Sequence, residues 1–232
     1  MKKLAFVVLL LCSLILAGNS RLLAEEAYNM FRYFPLDVDD TWIYQSLLVS
    51  QEETGEGISI TSVKEKIVLD GQDVYVLEMD LNTKPFFCYS ANDQGIYLHK
   101  LIEGDCSSIF IPPMPFITNP MQLNKENTFS CKAELYDAQG EFVEEYKAEV
   151  SQKFEGLESV TVPMGRFDNC LKIKVTVSLN RKNHASRFED TLWLAKDIGT
   201  VKEKNVITEF GGGTHVFRNQ RELVKAILQK NR

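Results

Sequence analysis

The residues with the widest chemical reach are three histidines, His99, His184 and His215, and five cysteines. A metal or hydrolase site built locally needs such groups at short, fixed spacings, because one helix turn or one knuckle must present them together. Here the spacing is wrong. There is no HExxH and no CxxC, and Cys88, Cys106, Cys131 and Cys170 are separated by 18, 25 and 39 residues. No Gly-x-Ser-x-Gly elbow is present to raise a serine nucleophile. Gly211-Gly212-Gly213 lacks the lysine and hydroxyl of a phosphate loop and reads as a hairpin turn. The acids Asp37, Asp39 and Asp40 lack the alternation and the closing glutamate of a calcium loop. Glu141, Glu144 and Glu145 read as a solvated strand face. The sequence therefore assigns no catalytic residue, no metal ligand and no cofactor, and lone histidines in strands and turns are structural or solvated.

The cysteines take their meaning from the compartment. Lys2 and Lys3 precede an uncharged apolar run, Leu4–Gly18, and small or polar residues follow at Asn19 and Ser20. This is the pattern of a cleavable secretory signal over residues 1–24, cut between about 20 and 24. The run is shorter than the roughly 20 residues that span a bilayer. Cys12 lies inside it after Leu11, not after a small residue, so a lipoprotein is not expected. Four cysteines remain in the mature chain, and an even count after export points to disulfides. Three pairings are open; sequence neighbours favour Cys88 with Cys106 and Cys131 with Cys170.

Loss of Lys2, Lys3 and Arg21 with the leader leaves a net charge of −9. Nucleic acid demands a basic surface, so it is excluded as a partner. No later segment is apolar enough to span a membrane, and the expected location is periplasmic or extracellular, soluble after cleavage.

The elements that must position any site are strands. Runs rich in Val, Ile, Tyr and Phe recur from Thr41 onward, separated by turn signals. Asp70-Gly71, Asn92–Gly95 and Asp137–Gly140 each put glycine where a hairpin needs positive φ. This predicts one antiparallel meander over 25–232, as a single β-rich domain. A short helix is expected over 25–33, and 221–229 reads as a last strand. The stretch Ile109–Met121 contains Pro112, Pro113, Pro115 and Pro120. Proline lacks the amide a central strand needs, so an irregular loop is expected there. Phe86, Phe87, Tyr89, Tyr97, Phe110 and Phe116 gather around it, as core packing or as the lining of an apolar pocket.

Two stretches resemble the DUF3108-like family of secreted bacterial proteins of unknown function. One is Tyr33-Phe34-Pro35-Leu36 with Asp39-Asp40-Thr41-Trp42-Ile43-Tyr44. The other is Val160-Thr161-Val162-Pro163-Met164-Gly165-Arg166-Phe167-Asp168-Asn169-Cys170-Leu171, followed by Leu192-Trp193-Leu194-Ala195 and Asp197-Ile198-Gly199-Thr200-Val201-Lys202. The chain departs from the pattern at Asp39-Asp40 and at Asp197, where glycine is usual. The resemblance implies a curved antiparallel sheet, a half-barrel or open barrel like that of lipoprotein carriers, with few short helices. It implies no catalytic residues.

The function expected is that of an exported, non-enzymatic envelope protein that binds an apolar ligand or an envelope protein. A structural or assembly component of the cell surface is the alternative. A hydrolase whose site assembles only in space is the second.

Overall fold

The computed structural model describes residues 28–50, 54–69, 71–80, 85–211 and 213–229. The expected leader lies outside them. One short helix, α1 (Met30–Tyr33), precedes twelve strands. They are β1 (Thr41–Val49), β2 (Thr54–Leu69), β3 (Gln72–Met79), β4 (Phe86–Asn92), β5 (Gly95–Glu103) and β6 (Cys106–Thr118), then β7 (Glu126–Tyr136), β8 (Phe142–Val162), β9 (Gly165–Asn180), β10 (Ala185–Ala195), β11 (Gly199–Phe210) and β12 (Thr214–Ile227).

The turn signals act as the sequence indicates. Gly71, Gly95 and Gly140 all take positive φ at hairpins. Each strand pairs antiparallel with the next, and β12 closes on β1, so the sheet is a closed barrel, not the expected half-barrel or open barrel. The meander itself was legible in the turns. Closure was not, because it joins strands at opposite ends of the chain.

Closure is secured where residues 32–44 meet residues 197–200. Trp42 Nε1 donates to the Ile198 carbonyl at 2.6 Å, and the Tyr44 hydroxyl donates to the Thr200 carbonyl at 2.9 Å. Arg32 pairs with the Asp197 carboxylate, and the Asp197 amide donates to the Arg32 carbonyl. Asp40 is fully buried. Its carboxylate accepts the Asp37 amide at 3.3 Å and the Gln229 amide at 2.7 Å, which ties the entry of β1 to the exit of β12. The two departures from the family pattern fall at strained points. Asp39 and Asp197 adopt φ of 73° and 64°, the left-handed region that glycine enters most freely.

The expected loop at 109–121 is mostly strand β6. Its prolines act on one side only. The ladder to β7 runs from Ser107 to Ile111 and stops at Pro112, whereas pairing with β5 continues through Met114 and Pro115 with bulges. Gln152 of β8 fills the resulting seam: its side-chain oxygen accepts the Thr118 amide at 2.8 Å, and its amide group donates to the Pro115 carbonyl. A second irregularity lies at β2. It pairs with β1 over Thr54–Ser62 but with β3 only over Thr61–Leu69.

The interior is a packed apolar core in which Trp42, Tyr44, Tyr89, Phe110, Met114, Phe154 and Ile173 are all buried. A smaller apolar cluster, Val74, Val76 and Cys88 with Ile67, Leu69 and Phe86, occupies the other face of β2–β4. The outer wall is charged, with ion pairs such as Lys132–Glu145, Lys147–Glu149 and Arg187–Glu189. An outer-membrane barrel has the reverse arrangement, an apolar band outside and a polar lumen.

The tightest backbone approach tests the β4–β5 turn. A Cβ on Gly95 would lie 2.0 Å from the Ile117 carbonyl oxygen, at a φ of 142°. Gly95→Ala is expected to lower unfolding free energy by roughly 3 kcal/mol, through clash and backbone strain together. Urea unfolding followed by tryptophan fluorescence measures this, and an unchanged midpoint would show that the turn is not held as described.

Candidate functional site

The expected disulfides are not formed: Cys88, Cys106, Cys131 and Cys170 are all free thiols. Register explains why. Cys131 sits opposite Ala148, and Ala148 opposite Leu179, nine positions along β9 from Cys170. At about 3.3 Å per residue that is roughly 30 Å, whereas a disulfide requires Cα atoms within about 7 Å. Cys88 is level with Lys100 and Ile109, three residues along β6 from Cys106 and two strands away. Burial pushes the Cys131 and Cys170 thiols up to about 11, with Asp168 and Glu158 adding to the effect at Cys170. Burial also raises Cys88. These three thiols stay protonated near neutral pH and are poor nucleophiles. Cys106 is exposed at the start of β6.

Two histidines touch serines. His99 Nε2 lies 2.7 Å from Ser90 Oγ, and His184 Nε2 lies 2.9 Å from Ser186 Oγ. A base beside a hydroxyl is the first requirement of a serine nucleophile. The first pair is almost fully enclosed, at 6% and 5% exposure, so it offers a substrate no surface to approach. The second bridges the start of β10. His215 is exposed near the tip of the β11–β12 hairpin.

The aromatic group around β6 is core packing. Tyr89 meets Phe34, Phe87 and Phe116 at centroid distances of 5.5, 6.0 and 5.5 Å. Phe110 is buried beside them. These contacts fill the space that an apolar pocket was expected to occupy. A gap of about 10 Å³ between Gln152, Phe154 and Thr118 has room for one water. A groove of about 200 Å³ on the outer face of β7–β10 is polar, with Glu126, Thr128, Glu149 and Arg187 among its lining.

The barrel's most unusual chemistry is an internal charge cluster that the sequence did not reveal. Arg221 of β12 is 6% exposed. Its guanidinium donates twice to the Glu203 carboxylate of β11 and once to Thr61 Oγ1 of β2 at 3.2 Å. It also stacks over the Tyr44 ring, 4.8 Å from the centroid. One register step along, Asp190 of β10 accepts from the Asn205 side chain. The cluster thus contains two carboxylates and one cation. Burial pushes the Asp190 carboxyl up to about 7; Glu203 adds repulsion, and the Asn205 hydrogen bond and Arg221 oppose the shift. Burial raises the Tyr44 and Tyr89 phenols well above their ordinary value, and both stay neutral. The three charged members stand on three different strands, so no local spacing marks them in the sequence. Among the described residues no group of three or more His, Cys, Asp or Glu is placed to hold a metal.

Ladder order, charged wall and packed interior together define a closed antiparallel β-barrel. Residues 108–206 match the DUF3108-like family. The family resemblance is thereby borne out from β6 to β11, the stretch that holds the Pro163–Leu171 and Trp193–Lys202 motifs; the opening motif at 33–44 lies outside the match. No protein with a curated description matches the chain. Three solved structures resemble it in outline. A protein from Bacteroides fragilis, described as exported and of YmcC-like fold, shares 14% identity, with 84% of this chain and 99% of that one covered at a TM-score of 0.49. A protein from Parabacteroides distasonis described as a lipoprotein shares 12%, covering 88% and 100%, at 0.39. The hypothetical lipoprotein YmcC of Escherichia coli shares 11%, covering 88% and 91%, at 0.37. At 11–14% identity none of these likenesses bears on activity. Two of the three are described as lipoproteins, so the expectation that this chain has no lipid anchor finds no support among them. Among the described residues no helix is long and apolar enough to cross a membrane.

The internal cluster makes two outcomes measurable. Arg221→Met removes the one cation and leaves two facing acids enclosed, and is expected to lower stability by about 3 kcal/mol in urea unfolding at neutral pH. A change under about 0.5 kcal/mol would mean that the guanidinium is not the counterion described. The second outcome is pH dependence. Asp190 titrates higher when folded than the ordinary value of about 3.9. The folded chain therefore holds a proton that the unfolded chain has lost. Its contribution to stability is complete below about pH 4 and disappears as pH rises through about 7. Asp190→Asn is expected to flatten this part of the profile, with a higher Tm than the parent at about pH 8 and a smaller gap at about pH 5. Parallel melting profiles for the two proteins across that range would contradict the assignment.

Proposed function

We propose that the chain is an exported, non-enzymatic protein of the cell envelope that works by binding a protein partner at its outer surface. The observation that carries this reading is the filled interior. A carrier of apolar ligands has a concave, largely preformed cavity of several hundred Å³. Here Tyr44, Tyr89, Phe110 and Phe154 occupy the space inside the wall, and the larger of the two grooves described above is polar and external. Export rests on the leader pattern at residues 1–24. The non-enzymatic reading rests on the enclosure of the Ser90–His99 pair and on the protonated state of the buried thiols.

N-Phenyl-1-naphthylamine, which fluoresces on entering apolar sites, provides the test. Titration into the folded protein is expected to give no saturable increase in emission, with a signal emerging only on unfolding. Saturable, stoichiometric binding to the folded state would restore the apolar-ligand reading and displace this one.

A further inference from the structure

Among the described residues β2 carries a free edge, and its position follows from two registers. β2 is paired with β1 from Thr54 to Ser62, yet β3 joins it only from Thr61. Over 54–60, among the described residues, β2 has a neighbour on one side only. The direction of its backbone groups is fixed by flanking hydrogen bonds. Val63 donates to the Asp40 carbonyl and accepts the Asp39 amide, so odd positions face β1. The Ile60 carbonyl accepts the Asp80 amide, so even positions face the other way. With no register shift between 54 and 62, the amides and carbonyls of Thr54, Glu56 and Ile58 point away from β1.

Natural sheets protect such edges with proline, lysine, a bulge or a covering loop. Positions 54–60 contain no proline, no lysine and no bulge toward β1. Gly55 and Gly57 have open space where a Cβ would stand. Ile58 beside them is 63% exposed, and Leu47, its diagonal neighbour on the same face of β1, is 37% exposed. The edge is thus narrow in profile, regular and partly apolar, the form that accepts an added strand.

Charge selects the occupant. Between Thr41 and Val63 the sequence contains three acids, Glu52, Glu53 and Glu56, and no base. The bases on β12, Arg218 opposite Val49 and Arg221 opposite Ser46, stand two strands from the edge, and Arg221 is engaged by Glu203. Lys64, the next base along β2, is engaged by Glu78 at 2.6 Å. A second copy of the same edge would bring acids against acids, which is unfavourable across a strand pair.

We propose that the 54–60 edge of β2 binds an extended, lysine- or arginine-bearing segment of a partner protein by strand addition. The added strand takes the hydrogen bonds of Thr54, Glu56 and Ile58, its basic side chains meet Glu56, and its apolar side chains cover Ile58. This rests on the reading of the chain as a binder of protein partners and names the surface and the chemistry of the partner.

Amide hydrogen exchange read residue by residue by NMR tests it on the full mature chain. In the free protein, Gly55, Gly57 and Ser59 exchange slowly and Thr54, Glu56 and Ile58 exchange quickly. The probe is a capped peptide of alternating lysine and valine long enough to span 54–60; its glutamate–valine counterpart is the control. The basic peptide is expected to slow exchange at Thr54, Glu56 and Ile58 by about tenfold or more, and the acidic one to leave it unchanged. Glu56→Pro removes an outward amide without touching the β1 ladder and is expected to abolish the slowing. Glu56→Lys keeps the edge intact and is expected to reverse the preference between the two peptides, which preserves the test if the proline variant fails to fold. The proposal is overturned by no slowing with either peptide or by equal slowing with both. Slowing that grows with protein concentration alone would identify a second copy as the occupant and overturn it equally. Naphthylamine binding would instead defeat the underlying reading, so the two failures are distinguishable.

Discussion

Pairing of β1 with β12 is the contact on which the rest of the structure depends. It converts a meander with two open ends into a wall with one interior, and only an enclosed interior can bury Arg221 of β12 against Tyr44 of β1 and Thr61 of β2. The ladder alone does not hold this contact. Asp40 accepts amides from both ends of the chain, and the Trp42 indole reaches the β10–β11 turn. A buried carboxylate with two backbone donors is costly to disrupt, because either amide left without a partner carries its full desolvation penalty. Asp40, Trp42 and Asp197 therefore act in closing the barrel.

Enclosure has an electrostatic consequence. Inside the wall, one guanidinium serves two carboxylates, so one negative charge is left over. Proton uptake at Asp190 relieves that excess. The same cluster divides the barrel in character: toward the Trp42 end the inward positions are apolar and sealed, as at Val201 and Leu223, whereas beyond Asp190 they become partly exposed, as at Ile207 and Phe217. The β1–β2 hairpin rises past the end of β3 on this side, and the free edge of β2 lies there.

Much of the wall was legible in the sequence. Gly71, Gly95 and Gly140 mark hairpins because their φ is positive, and the alternating runs between them are the strands. The departures of Asp39 and Asp197 from a glycine pattern also read correctly as turn positions, since both residues sit in the left-handed region. Other features were hidden for identifiable reasons. The prolines of β6 suggested a loop because a missing amide forbids a central strand; the structure satisfies that rule by breaking one ladder and keeping the other. The cysteine count suggested pairing, but register separates Cys131 from Cys170 by nine residues of strand. Arg221, Glu203 and Asp190 carry no signal in the sequence, because each belongs to a different strand and their convergence exists only once the barrel closes. The free edge of β2 was equally invisible, since it is a difference between two registers and not a property of residues 54–60 alone.

The central claim is that the barrel is filled by its own side chains and works from the outside. Native mass spectrometry of the protein released gently from the envelope tests it most directly. The account predicts a mass equal to the processed polypeptide with four reduced cysteines, alone or in complex with another protein chain. A stoichiometric adduct of non-covalent lipid that survives transfer would contradict it, because Tyr44, Tyr89, Phe110 and Phe154 pack the interior.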